Sequence, residues 1–293
     1  MNSGFVNKLA FWRTAEASGK LGVFVDTDSV WVYQSEMSGQ AESYTEFPLI
    51  KQNWNDTFSD IKQKFGTATV QIVMSASHYQ SLQAEKPNVE PAEINQALIW
   101  TVKDMVSEPV ANIHLDYFES SVSANTKINV VVVARDKLVA IASACEELGF
   151  TIAGITIEEL VLTHIFDADN MAHMLVTHLP HQELLFTVIK AGESLMQRRV
   201  RGFNELQDVK EQDLSAGLAD NLSLEIQRSM DYFESQLRQA PVAAINLLTE
   251  GKQAALTMLV AANFNQAVTM VEHQGVAAYL AKLAFVELSR SEV

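Results

Sequence analysis

One order of secondary-structure signals runs through this sequence twice. In the first half, stretches at 21–27, 29–35 and 43–49 read as strands, 54–65 has helical spacing, and 69–75 reads as a further strand. In the second half, 174–178, 183–190 and 194–200 again read as strands, a long helix follows, and a short strand is expected at 242–248. The long helix rests on Leu214, Leu218, Leu222, Ile226, Met230, Phe233 and Leu237, which recur at three- and four-residue steps between 211 and 238, with Pro241 just beyond. Two copies of a three-strand meander followed by helix and strand favour two lobes of one topology.

A different unit lies between the copies. Pro91 opens a helix carrying Ile94, Leu98, Val102 and Met105; 113–119 and 128–134 read as strands; and 136–148 reads as a helix that Gly149 can end. This predicts an inserted αββα subdomain spanning 77–150, then a strand at 150–157 and a helix at 158–166. The fold class implied is α/β, the actin-like (ribonuclease H-like) bilobal fold. Its first lobe is expected at 1–166 and its second at 167–293, with a C-terminal helix at 275–289 packing back on the body. In that fold a nucleotide lies between the lobes.

Composition narrows the function. Twenty-one basic residues against 36 acidic ones give a net charge of −15, which argues against nucleic acid as a partner. Hydrophobic residues make up 48% of the 293, too many for a disordered chain. The single cysteine, Cys145, can form neither an internal disulfide nor a paired-cysteine metal knuckle, so a reducing, cytoplasmic setting is expected. No apolar run is long enough to span a bilayer, and the N-terminus has no secretory h-region. Phe5, Leu9 and Trp12 share one helical face there, beside Lys8 and Arg13, and are expected to pack on the chain's own body.

Four segments carry a family resemblance: PAEINQALIWTVKDMV from Pro91, running on to LDYFE from Leu115; LEIQRSMDYF from Leu224; GVFVDTDSVW from Gly22; and the stretch from Gly192 to Arg198. Together they resemble the PilM family of type IV pilus assembly proteins, over nearly the whole chain. The resemblance implies an actin-like cytoplasmic protein peripheral to the inner membrane, a platform of a type IV pilus or type II secretion assembly. Its implied partner is the cytoplasmic tail of a bitopic PilN-like protein. The related cytoplasmic part of GspL docks a secretion ATPase, so the assembly ATPase is a further candidate partner, as is a second copy of the chain.

Against the family pattern the phosphate loops are altered. Holding the end of the family's Gly-Ile-Asp-Ile-Gly-Ser-Ser-Ser-Val on Ser29-Val30 puts Phe24 where the metal-site Asp belongs and Asp26 where a Gly belongs, with Asp28 nearby. Aligning Gly192 and Arg198 puts His178 and Pro180 at the second loop's Asp and Gly, and proline has no N–H to give a phosphate. The third motif, Leu-Ser-Gly-Gly-Gly in the family, reads Leu248-Thr249-Glu250-Gly251-Lys252. No GxGxxG or GxxxxGK[ST] motif occurs. The expectation is a scaffold without cofactor, metal or catalytic residues; the alternative is a divergent actin-like ATPase whose nucleotide state regulates assembly.

For partner binding, the aromatic residues Trp100, Tyr117 and Phe118 of the insertion are candidates for a peptide groove. Arg198, Arg199 and Arg201 form one basic cluster, and strand alternation sends Arg199 and Arg201 to one face and Arg198 to the other. His173, His178 and His181 lie within nine positions but are read as ordinary strand and turn histidines.

Overall fold

Apolar residues and one glycine make up Leu21–Val25, and Val70–Met74 is apolar but for the buried Gln71, the pattern of strands covered on both faces. The computed structural model of the chain describes residues 19–36, 41–122, 127–166 and 169–290. The stripe of Phe5, Lys8, Leu9, Trp12 and Arg13 lies outside them.

Strands β1 (Lys20–Val25), β2 (Ser29–Gln34) and β3 (Ser43–Pro48) form an antiparallel meander. Helix α1 (Trp54–Phe65) follows, started by the Asn53 side chain, which accepts from the Asp56 N–H, and stopped at Gly66. Trp54, Phe58 and Ile61 are its buried face. Strand β4 (Thr69–Met74) then returns parallel to β1.

The insertion comes next: β5 (Tyr79–Glu85), α2 (Ile94–Val102), β6 (Ile113–Phe118) and β7 (Lys127–Ala134), with sheet order β5-β7-β6 around Leu98, Ile113 and Val130. It carries one strand more than the sequence pattern suggests. Tyr-Gln-Ser-Leu-Gln-Ala-Glu buries only Ala84, so β5 shows little alternation to read. Helix α3 (Arg135–Leu148) ends at Gly149 in the left-handed conformation, whose N–H reaches the Cys145 and Glu146 carbonyls. Strand β8 (Thr151–Ile157) pairs parallel to β4, and the short α4 (Glu158–Val161) closes this part.

The second half repeats the scheme. Strands β9 (His173–His178), β10 (Leu184–Lys190) and β11 (Glu193–Val200) form the meander. The expected single helix is broken into α5 (Glu211–Asp213), a π-turn at Leu214–Leu218, and α6 (Ala219–Ser235), because Gly217 sits at φ +128° inside the run. Strand β12 (Ala244–Thr249) lies parallel to β9, helix α7 (Gln253–Ala261) crosses over, and β13 (Ala267–Met270) adds parallel to β12. Helix α8 (Val276–Arg290) ends the described chain.

The two five-stranded sheets have the orders β3-β2-β1-β4-β8 and β11-β10-β9-β12-β13, the same topology with the same pattern of parallel and antiparallel neighbours. Among the described residues two compact units result, one from 19–36, 41–119, 127–162 and 280–290, the other from 120–122, 163–166 and 169–279. The first unit thus ends at Leu162 and takes the greater part of α8.

On the first unit α8 packs directly on β1. A Cβ at Gly22 would stand 2.1 Å from the Ala281 carbonyl oxygen and 2.4 Å from the Phe285 nitrogen, so only glycine admits the helix here. Beside this contact the Lys282 ammonium lies 3.1 Å from a Glu42 carboxylate oxygen and over the Tyr33 and Tyr44 rings, and Phe285 meets Tyr33 edge-on.

Candidate functional site

The loops aligned with the PilM phosphate motifs follow β1 in the first sheet and the parallel neighbours β9 and β12 in the second. In the first unit, Phe24 points into the protein from β1 and is fully buried. The turn beyond it is closed on itself. The Asp26 N–H donates to the Ser29 carbonyl, the Thr27 N–H donates to the Asp26 carboxylate at 2.8 Å, and the Asp26 carbonyl lies 2.6 Å from His78 Nε2. Burial pushes the Asp26 carboxyl up, opposed by the Thr27 amide and the Ser75 hydroxyl and assisted by Asp28, which is exposed. Burial also lowers His78, which lies near the Trp54 ring.

In the second unit, His178 ends β9 fully buried, with neither ring nitrogen in a well-formed hydrogen bond. Burial holds it neutral, its pKa lowered to about 4, offset only in part by the backbone of Asn204 and Phe203. Pro180 sits in the β9–β10 turn, and the next residue, His181, donates its N–H to the Asn204 carbonyl and faces Glu205 at 3.0 Å. The third motif meets the same segment. A Cβ at Gly251, which has φ +83°, would lie 2.7 Å from the Gln207 carbonyl oxygen. Glu250 turns the other way: its carboxylate accepts the Val276 N–H at 2.6 Å, at the start of α8.

These loops do not fit a magnesium nucleotide. In the first, the residue aligned with the PilM metal-site Asp is a buried phenyl ring and two amides are already used within the turn. In the second and third, the chain's own 203–207 backbone lies against the turn and Gly251, and a carboxylate holds the helix N–H that an anion would take.

The partner-binding candidates divide between the units. Trp100 stands 62% exposed on α2, with the Lys103 ammonium 5.5 Å from its ring centroid. Tyr117 packs against the insertion's core, while Phe118 is half-buried on the neighbouring position. Arg198 donates to Ser229 and Glu225 on α6, Arg199 is half-buried, and Arg201, just past the end of β11, pairs with Glu183. All three arginines line one open groove of about 800 Å³ between the end of β11 and α6. Strand alternation had separated Arg198 from the other two; the groove joins them because β11 is the sheet edge, where residues from both faces meet one hollow. Sequence reasoning missed Arg228 and Leu224, which complete this lining from α6 and lie on its solvent side. The histidines do not converge: His173 pairs with Asp169 at 2.7 Å and stacks on Phe166. Among the described residues no cluster of three His, Cys, Asp or Glu side chains is placed to hold a metal, and no helix is long and apolar enough to cross a membrane.

Two units of one three-strand, helix, strand, helix, strand topology define the actin-like fold. Solved structures agree. The PilM-PilN type IV pilus biogenesis complex matches with a TM-score of 0.60 at 12% identity, over 92% of this chain and 99% of that one. The cytoplasmic domain of EpsL, an inner membrane component of the type II secretion system of Vibrio cholerae, matches with a TM-score of 0.54 at 15% identity, over 91% of this chain and 94% of that one. A protein of actin-like ATPase fold and unknown function from Bacteroides thetaiotaomicron matches with a TM-score of 0.51 at 10% identity, over 90% and 95%. At these identities the likeness is one of fold. Compared as a sequence, the chain matches no protein-family model and no curated protein.

Proposed function

We propose that this chain is a nucleotide-independent scaffold of the PilM/GspL kind, a cytoplasmic component of an inner-membrane platform for a type IV pilus or a type II secretion system. The sequence motifs favour the pilus branch and, within it, the role of MshI, the PilM-like protein of the MSHA pilus. In this role it captures the cytoplasmic tail of a PilN-like membrane protein through the insertion, with Trp100 as the exposed aromatic anchor, and stays at the membrane through that partner. The observation that carries the reading is the filling of the phosphate-loop positions by the chain's own groups: Phe24 in the first, the 203–207 backbone in the second, and Glu250 on α8 in the third. The fold shared with the PilM-PilN complex and with the EpsL cytoplasmic domain supports it.

The test is titration calorimetry of the purified protein with the tail peptide of the PilN-like protein from the same organism, with and without Mg-ATP, beside a titration with Mg-ATP alone. Tail binding of equal strength in both conditions, weakened in W100A, and no heat from Mg-ATP are expected. Tail binding that requires ATP would overturn the scaffold reading and favour a divergent ATPase.

A further inference from the structure

The groove beside β11 has a definite chemistry. Four of the chain's eight arginines line it, Arg198, Arg199, Arg201 and Arg228, against two glutamates. Arg198, Arg201 and Arg228 alone outnumber those glutamates, a local surplus of positive charge on a chain of net charge −15. Glu225 is shared between Arg198 and Arg228, and Glu183 answers Arg201, which is 90% exposed. The surplus is thus built into a hollow, which concentrates its field. Apolar surface lies in the same place, from Leu224 at 50% exposure and half-buried Leu218.

One wall of the groove is a sheet edge. β11 pairs with β10 on one side and with no other strand of the described residues on the other. Alternate backbone N–H and C=O groups along such an edge point outward and template a further strand. Near its start the edge is already engaged: Ser120 donates its hydroxyl to the Leu195 carbonyl at 3.1 Å, beside the irregularity in the β10–β11 pairing. The groove lies at the other end, along Arg198–Gly202.

We propose that this groove binds an extended acidic segment of a partner protein. The segment adds to the end of β11 as a strand, sets its carboxylates against Arg198, Arg201 and Arg228, and lays alternate apolar side chains on Leu218 and Leu224. Backbone pairing supplies affinity that depends little on sequence, and the arginines select for acidic residues. A peptide fits these features better than an anionic bilayer does. A flat lipid surface leaves the strand edge unused, and it repels a chain of this net charge. The inference goes beyond tail capture by the insertion, since an acidic strand docks here whether or not Trp100 holds a tail.

The probe is a fluorescein-labelled peptide of about ten residues alternating Glu with Val and Ile, long enough to run the groove's length, with a control carrying Lys for every Glu. Anisotropy titrations are made at about 50 mM and about 500 mM salt, and backbone hydrogen exchange across β11 is followed with and without peptide. Saturable binding of the acidic peptide alone is expected, weakened at least about tenfold in the R201E/R228E protein and at high salt, with slower exchange across β11. Arg201 and Arg228 are exposed, so the double variant retains the fold; L224S, also on the surface, removes the apolar contact without adding charge and provides a second variant expected to weaken binding. Absence of saturable binding at millimolar peptide, equal binding by the double variant, or unchanged exchange at β11 would overturn the proposal. Sedimentation with phosphatidylglycerol vesicles through the same arginines, without peptide binding, would replace it with a lipid surface.

Discussion

Replacing Gly22 with alanine tests the packing of α8 on the first unit. The new methyl would lie 2.1 Å from the Ala281 carbonyl oxygen, 2.4 Å from the Phe285 nitrogen and 2.8 Å from the Phe285 Cβ. Two of these are backbone atoms of a helix, so no rotamer change relieves them. Restoring normal contact requires β1 and α8 to separate by about 1 Å, and a gap of that size forfeits up to about half of each dispersion contact along the interface. The face that suffers carries Ala281, Ala284 and Leu288, each 1% exposed or less. Overpacking of a core costs about 1–3 kcal/mol, and a clash against rigid backbone belongs at the top of that range. At an unfolding entropy of about 2.1 cal/mol/K per residue, about 3 kcal/mol in a chain of 293 residues corresponds to a fall in Tm of roughly 5 °C. Thermal unfolding by circular dichroism, with urea titration beside it, reads both quantities. Gly19→Ala is the control, since its methyl would meet only the Ala68 Cβ at 3.9 Å. A Gly22→Ala protein within about 1 kcal/mol of wild type, or a Gly19→Ala protein equally weakened, would refute the argument.

Phe24→Asp, which restores the family residue at the metal-site position, is expected to cost several kcal/mol, on the order of 3 or more, because the carboxylate replaces a fully buried ring; no nucleotide affinity is gained. A stable variant that binds Mg-ATP in calorimetry would contradict this. His178 gives a pH dependence: unfolded it titrates near its ordinary value of 6.5, folded only at about 4. The unfolded chain therefore binds more protons in that window, so this contribution is full above about pH 6.5 and falls away by about 3 kcal/mol as the pH drops to about 4. His178→Leu should flatten the slope of urea stability against pH between these limits, and an unchanged slope would count against it. Cys145 is buried and its thiol pushed up to about 12, so a thiol-specific disulfide reagent at pH 8 is expected to react only after denaturant is added.

The elements legible in the sequence are those whose burial is written in local pattern: β1, β4 and β10, mostly apolar, β9 with its Met174-Leu175-Val176 centre, and α6 with its stripe of Leu222, Ile226, Met230 and Phe233. Strands β5, mostly half-buried, and β13, largely exposed, escaped because neither shows a clear alternation. The break at Gly217 escaped because leucines on either side keep the helical spacing through it. At the loops, the departures at Phe24, Asp26, Pro180 and Glu250 could be read by alignment with the family. What occupies those positions could not, since Glu250 finds its partner 26 residues downstream and Gly251 is fixed by Gln207 on another segment. The glycines that remain, Gly22 and Gly251, answer to close approach of the chain's own backbone. Their retention therefore says nothing of a ligand.

The bond from Glu250 to the first turn of α8 makes the carboxylate a tethered competitor. Any phosphate approaching that amide meets an anion on the same chain, 2.6 Å away and aligned. A group carried by the same folded chain is held at an effective concentration of about a millimolar or more. An anion free in solution has to reach that level merely to match the residue already in place, so weak phosphate ligands are screened out here by connectivity, before charge or shape is consulted.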